Sequence, residues 1–285
     1  MFGLVISKMA QTHIINPYTA VLGEGIIATP DGPAWVDIEA RKVIWAERVY
    51  DLPKHIPSVI FEAHATHLML GTHLGICHLL RDGRVEMLFA LSDFDSADFR
   101  LNDGCKLSDG SFLVGSMSRT SIDDRPGHIY RFTRGGQNFR YDWPCHIPNS
   151  FIELDDGRVL VSDSHRQTIY ALSPGDEDLA VAPWYHAAGA ATPDGGCRLP
   201  NGQICLAMWD GFALCLFDQA GQLIDEIALP VARPTNCFYD AADGGFYVTS
   251  ARQGLDAQAL QAQPQSGACF FVPWSAGGAS PVRMD

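Results

Sequence analysis

The sequence predicts an all-β chain: a six-bladed β-propeller with four antiparallel strands per blade and an N-terminal strand closing the last blade. Three observations carry that expectation. The first is a repeated offset. Asn102 stands seven residues before the turn dipeptide Asp109-Gly110, and the apolar run Phe112-Leu113-Val114 follows the turn. The same offset of seven separates Glu24 from Asp31-Gly32, Asn149 from Asp156-Gly157, Asp194 from Asn201-Gly202 and Asn236 from Asp243-Gly244. A weaker copy places Ser58 seven before Ala65-Thr66, where the turn signal is lost. Asp-Gly and Asn-Gly are tight-turn dipeptides, so each copy reads as strand, turn, strand. The second observation is spacing: these six positions lie 34, 44, 47, 45 and 42 residues apart. Repeats of roughly 40–50 residues built from short strands and Gly turns mark propeller blades. The third is period. Apolar residues alternate with period 2, and no long stretch shows the 3.6-residue period of a helix. Equivalent positions in a propeller face one end of one channel. Glu24, Ser58, Asn102, Asn149, Asp194 and Asn236 should therefore converge on the axis.

The elements follow in order. Tyr18-Thr19-Ala20-Val21-Leu22 is a strand candidate, and Gly23 and Gly25 flank Glu24 where the backbone passes close to a neighbour. Ala34 to Ile38, Lys42 to Trp45 and Glu47 to Tyr50 complete the first blade. The second, near Ser58 to Val85, carries His64, His67, His73 and His78, with Arg81-Asp82-Gly83-Arg84 as a hairpin turn. His64 and His67 are an odd number of residues apart and so should point to opposite faces of a strand, which argues against a zinc site. The third blade adds Ile129 to Phe132 and Phe139 to Tyr141 after a polar loop, Ser118 to Gly127. The fourth runs from Ile147 to Leu172, the fifth from Ala191 to Ile227, and the sixth from Arg233 to Val272. Closure of the ring predicts a strand around Ile14 to Val21 pairing with the sixth blade. No interdomain linker is evident, so residues 1–285 read as one domain, with about 1–12 as a loose extension.

Composition narrows the function. Of 285 residues 47% are hydrophobic and 19% charged, the balance of a folded globular chain. A net charge of −13 disfavours nucleic acid and anionic membranes, which reward clustered Lys and Arg. None of the eight cysteines forms a CxxC pair, so they read as buried, reduced thiols in a cytoplasmic protein. No apolar run is long enough for a membrane span.

On the axis, Glu24, Asn149 and Asp194 offer two carboxylates and an amide oxygen. That donor set suits a hard or borderline divalent cation: Ca²⁺, Mg²⁺, Mn²⁺ or, less cleanly, Zn²⁺. Three protein ligands leave positions open for water and substrate. Without a cation the carboxylates would repel and one would protonate. Asp37, Asp163 and Asp210 read as structural. Asp163-Ser164-His165 is contiguous, which is not triad geometry.

A set of motifs occurs in order: Leu22-Gly23-Glu24-Gly25, Arg100-Leu101-Asn102-Asp103-Gly104, Gly115-Ser116-Met117, Ile147-Pro148-Asn149-Ser150, Pro193-Asp194-Gly195-Gly196-Cys197, Leu229 to Thr235 and Val248 to Arg252. Together they resemble the regucalcin/gluconolactonase family across about residues 20–275. The resemblance implies a six-bladed propeller with one catalytic divalent metal, Ca²⁺ first among the candidates, that hydrolyses sugar lactones. Carried over motif by motif, Glu24, Asn149 and Asp194 fall on the metal ligands, and Arg100 and Asn102 on substrate-binding positions. Asp194 or Asp103 would be the base that takes a proton from water. Three departures bear on substrate more than on metal: Ile26 replaces a usual Pro, Leu101 replaces an aromatic, and Ser118-Arg119-Thr120-Ser121 replaces acidic residues. The expected partner is a small polyhydroxy lactone at a mouth lined by Arg100, Asn102 and Asn236, in a monomer or homodimer. The alternatives are a non-catalytic calcium-binding propeller and an esterase of another ester or lactone.

Overall fold

The inner strands of this chain are apolar on both faces, and the fold follows from hiding both. In the computed structural model, which describes residues 10–91, 95–133, 135–175 and 178–274, all strands fall into six four-stranded antiparallel sheets, in chain order except that the first strand joins the last sheet. β1 (His13–Ile14) comes first. Blade 1 is β2 (Gly23–Thr29), β3 (Gly32–Asp37), β4 (Lys42–Trp45) and β5 (Arg48–Asp51). Blade 2 is β6 (Pro57–Ala63), β7 (His67–Thr72), β8 (Gly75–Leu80) and β9 (Val85–Ala90). Blade 3 is β10 (Phe99–Lys106), β11 (Phe112–Ser118), β12 (Gly127–Phe132) and β13 (Asn138–Cys145). Blade 4 is β14 (Pro148–Glu153), β15 (Val159–Asp163), β16 (Thr168–Pro174) and β17 (Leu179–His186). Blade 5 is β18 (Thr192–Arg198), β19 (Ile204–Trp209), β20 (Ala213–Phe217) and β21 (Leu223–Ala228). Blade 6 is β22 (Pro234–Asp240), β23 (Gly245–Ser250) and β24 (Phe270–Pro273), with β1 as its outermost strand. This is the predicted six-bladed propeller, closed by the N-terminal strand. The short helix α1 (Ala257–Ala262) is an excursion within blade 6.

The core lies between blades and divides into six clusters, one per junction. Val36 and Val43 of blade 1 meet Leu68 and Leu70 of blade 2, whereas Trp35 and Ile44, one residue along, meet Cys269 of blade 6. Successive side chains of a strand point to opposite faces, so one strand serves two junctions. A sheet covered on both faces needs near-continuous apolar strands, and Val159-Leu160-Val161 shows the division: Leu160 packs towards blade 5 and its neighbours towards blade 3.

Two expectations need correction. The closing strand is not Ile14 to Val21 but the two residues His13 and Ile14, paired with Phe271 and Phe270. Pro17 has no N–H to offer a ladder. Side chains take the nearby donors: Asn16 Oδ1 accepts from Tyr18 N, and Asp37 accepts from the N–H groups of Val21 and Leu22. His64 and His67 do not point to opposite faces. His64 lies beyond the end of β6, so its ring turns across to stack on His67 at 4.5 Å, and His67 meets His78 at 4.0 Å. Of the predicted N-terminal extension, residues 1–9 lie outside the described residues, and Ala10 is tied by its N–H to the Ala228 carbonyl.

Candidate metal centre and active-site cavity

Each blade's innermost strand carries one of the six repeated polar residues, and each strand breaks register beside it. The shifts fall at Glu24/Ile27, Pro57/Val59, Leu101/Gly104, Asn149/Ile152, Pro193/Gly196 and Pro234/Asn236. A bulge bends the strand and re-aims a side chain. Gly25 (φ 56°) and Ser150 (φ 57°) take left-handed conformations immediately after Glu24 and Asn149. At Gly25 a Cβ would stand 3.1 Å from the Val59 Cα, so glycine answers both the backbone angle and the close approach of blade 2.

The bulges keep the six positions from sharing one surface: four line one cavity, Asn236 lines another and Ser58 lines neither. Glu24, Arg100, Asn102, Asn149 and Asp194 line a cavity of about 860 Å³. Asn236 and Asp103 line a separate cavity of about 260 Å³ instead. Ser58 turns its hydroxyl to the Gly71 carbonyl at 3.5 Å. The cavity wall is also less polar than expected, since Leu22, Ile38, Ile56, Met117, Ile147 and Trp209 contribute to it.

A directed series of hydrogen bonds joins the polar floor. Arg100 Nη1 donates to Asn102 Oδ1. Asn102 Nδ2 donates to Asn149 Oδ1 at 2.7 Å and to the Pro148 carbonyl at 2.9 Å. Asn149 Nδ2 donates to Ser164 Oγ at 2.9 Å, and Ser164 Oγ donates to the Pro193 carbonyl at 2.6 Å. Each amide has one orientation that satisfies both neighbours, so the Asn149 oxygen keeps a second lone pair for a ligand. Ser164 is the member that sequence reasoning passed over. Its signal was present in Asp163-Ser164-His165, but only as a failed triad. Asp163 itself accepts from the His146 and Ile147 N–H groups, as Asp37 does from those of Val21 and Leu22. Both carboxylates pin the chain just before an axial strand.

The carboxyl groups are under electrostatic stress. Burial pushes Glu24 up to about 8, with the Asp103 charge next in effect and the Gly25 N–H partly offsetting. Asp194 is raised well above the usual range by burial and then by the charges of Glu24 and Asp103. Its Oδ1 is buried without a hydrogen-bond partner among the described residues. Asp103 is pushed up to about 6 by burial, although the N–H groups of Gly104, Ser150 and Phe151 pull it down. Arg100, also buried, falls to about 10 and remains a cation at neutral pH. Among the described residues no three His, Cys, Asp or Glu side chains are grouped to hold a metal. The donor set here is two carboxylates and an amide. An orphaned carboxylate oxygen, a second buried carboxylate that repels it and an oriented amide oxygen fit a hard divalent cation.

Fold and site together define a six-bladed propeller with an acidic, oxygen-lined centre at the floor of a deep cavity. The chain belongs to the SMP-30/gluconolactonase/LRE-like family, which it matches over residues 22–252. It is 28% identical to the L-arabinolactonase of Azospirillum brasilense over 296 residues, covering 98% of this chain and 97% of that protein. It is 26% identical to regucalcin of Sus scrofa over 257 residues, covering 84% and 85%. In structure it is similar to a calcium-binding protein, regucalcin, of Agrobacterium tumefaciens: TM-score 0.82, 22% identity, 94% of this chain and 98% of that one. A gluconolactonase of Xanthomonas campestris superposes with TM-score 0.71 at 20% identity, covering 93% and 89%. Among the described residues no helix is long and apolar enough to cross a membrane.

Proposed function

We propose that this chain hydrolyses a sugar lactone to the sugar acid with one divalent cation held by Glu24, Asn149 and Asp194. Ca²⁺ is the first candidate, and Zn²⁺, Mg²⁺ and Mn²⁺ share the preference for these donors in varying degree. The observation that carries the reading is the pair of buried carboxyls with raised proton affinity on the floor of a cavity that also holds Arg100 and Asn102. The names of the two lactonases described above support the reaction class. A cation bound there would polarise the lactone carbonyl and stabilise negative charge on its oxygen.

The chain's own groups do the rest. Arg100 and Asn102 orient the ring hydroxyls by charge-assisted and neutral hydrogen bonds. Asp194, with its unpartnered oxygen, takes a proton as a water oxygen bonds to the acyl carbon. The acyl carbon–ring oxygen bond breaks, and the proton passes to the ring oxygen, which leaves as a hydroxyl. Asp194 suits this role better than Asp103, whose two oxygens accept from the Gly104 and Ser150 N–H groups at 2.8 and 2.9 Å and which lines the smaller cavity. Asp103 instead adds negative charge beneath Glu24 and Asp194.

The test is turnover of five- and six-membered aldonolactones before and after chelation, with each divalent cation restored in turn. Activity should vanish with chelator, return with the cation and be absent in Asp194→Asn. Full turnover by the chelated protein would overturn the reading, and stoichiometric cation binding without turnover would favour a calcium-binding propeller.

A further inference from the structure

We infer that the cavity selects a lactone that itself carries a carboxylate, and that Arg119, with Arg41 nearby, receives that carboxylate. The inference rests on the lactonase reading and adds the charge of the substrate. Arg41, Arg100 and Arg119 all line the large cavity. None of the three has an Asp or Glu within ion-pair distance among the described residues. Arg81, Arg125, Arg131, Arg198 and Arg233, by contrast, each pair with a carboxylate. Three arginines converge on one cavity in a chain of net charge −13.

The guanidinium groups of Arg41 and Arg119 are held by main-chain carbonyls and open to solvent. Arg119 Nη1 donates to the carbonyls of Ser96 and Ala97 at 3.3 and 3.0 Å. Arg41 Nη1 donates to the Pro53 carbonyl at 3.0 Å. Main-chain acceptors fix one nitrogen of each and leave Nε and Nη2 without a protein partner among the described residues. A guanidinium in that state offers the two-pronged geometry that a carboxylate matches. Burial pushes His73 down to about 4, with Arg119, then His55, then Arg41 adding to the effect. His73 is therefore neutral and offers no counter-charge. Arg119 also bears on Arg100, and Met117, two residues before it, faces Arg100 across the β10–β11 ladder.

The acids around the cavity are otherwise engaged. Glu24 and Asp194 face the cation site. Asp210 pairs with Arg233 through two contacts of 2.6 and 3.3 Å. Glu39 accepts from Gln253 at 3.2 Å and is the first charge influence on Arg100. What remains uncompensated is Arg41 and Arg119. Both are exposed, whereas Glu24, Asn149 and Asp194 on the same cavity are buried, so the two arginines lie outward of the floor, where the end of a sugar lactone remote from its ring carbonyl would stand. The substrate class is the monolactone of a sugar diacid. Ring opening adds water as before and releases the dicarboxylate.

The experiment compares kcat/KM of the cation-loaded enzyme for a neutral aldonolactone and for a diacid monolactone of the same ring size. The expected ratio favours the acid lactone about tenfold or more, the worth of one hydrogen bond to a charged group, and it shrinks as salt rises. Arg119→Ala should cut that ratio at least about tenfold, chiefly through KM, and Arg119→Glu should reverse it. An unchanged ratio in Arg119→Ala, or a wild-type preference for the neutral lactone, overturns the inference and leaves the lactonase reading standing. Turnover of neither substrate with any divalent cation sinks the lactonase reading instead. Calorimetry with a sugar diacid and a sugar monoacid then decides the carboxylate site. Tighter diacid binding that Arg119→Ala abolishes upholds it, and equal binding overturns it.

Discussion

Replacing Glu24 by Gln should stabilise the metal-free protein and abolish its response to metal, two effects of opposite sign from one oxygen-to-nitrogen change. Glu24 is 8% exposed, and its carboxyl is raised from 4.5 to about 8. A group with a raised folded pKa favours the folded state most below its unfolded pKa and loses that advantage as pH climbs to the folded value. Burial of Glu24 therefore costs nothing below about pH 4.5, and the cost grows until about pH 8. At about 1.36 kcal/mol per pH unit this is under about 1 kcal/mol at pH 5 and about 3 kcal/mol at pH 7. Gln has the same shape, can still accept from the Gly25 N–H (now 3.1 Å from Oε2) and never ionises. Metal-free Glu24→Gln should thus melt roughly 5 °C above metal-free wild type at pH 7, at about 2 °C per kcal/mol for a chain this long, and nearly level with it at pH 5. Adding Ca²⁺ should raise the wild-type Tm and leave the variant unmoved. Differential scanning calorimetry of both proteins at the two pH values, with chelator and with Ca²⁺, makes the measurement. A variant less stable at pH 7, or equally stabilised at both pH values, would refute the argument that the buried charge is what strains this site.

The same protons predict the pH dependence of metal binding. A cation displaces them, so its affinity should rise up to tenfold per pH unit for each proton released between about pH 5 and 8. A titration with a constant Kd across that range would show that the carboxyls are already ionised. Gly25→Ala should destabilise the fold by roughly 1–3 kcal/mol through its left-handed backbone and weaken metal binding by displacing Glu24. Denaturant melts and metal titration of the variant check both, and wild-type values in each would mean that the bulge tolerates a Cβ.

Residue order by itself determined the number of blades, the strand type and the axial positions. A seven-residue offset to a Gly turn recurs because each blade repeats one strand–turn–strand unit. Period-2 apolar runs recur because each inner strand must cover two junctions. Glu24, Asn102, Asn149 and Asp194 were legible for that reason, Arg100 only through the family resemblance of its motif, and the structure brings all five to one cavity. Which side of its strand each residue faces was decided only in three dimensions. Simple alternation is lost at a bulge, and every axial strand has one. So adjacent Asn102 and Asp103 part, one to each cavity, and Asn236 follows Asp103. Ser164 joins the polar floor because β15 brings it alongside Asn149, a contact fifteen residues apart that no local spacing announces. The histidines of blade 2 stack because one of them lies just past a strand end. Arg41 and Arg119, on different blades, share a cavity wall only because the ring closes. The sequence repeats its local rules six times, and the sum of small register shifts around the ring sets what the axis presents.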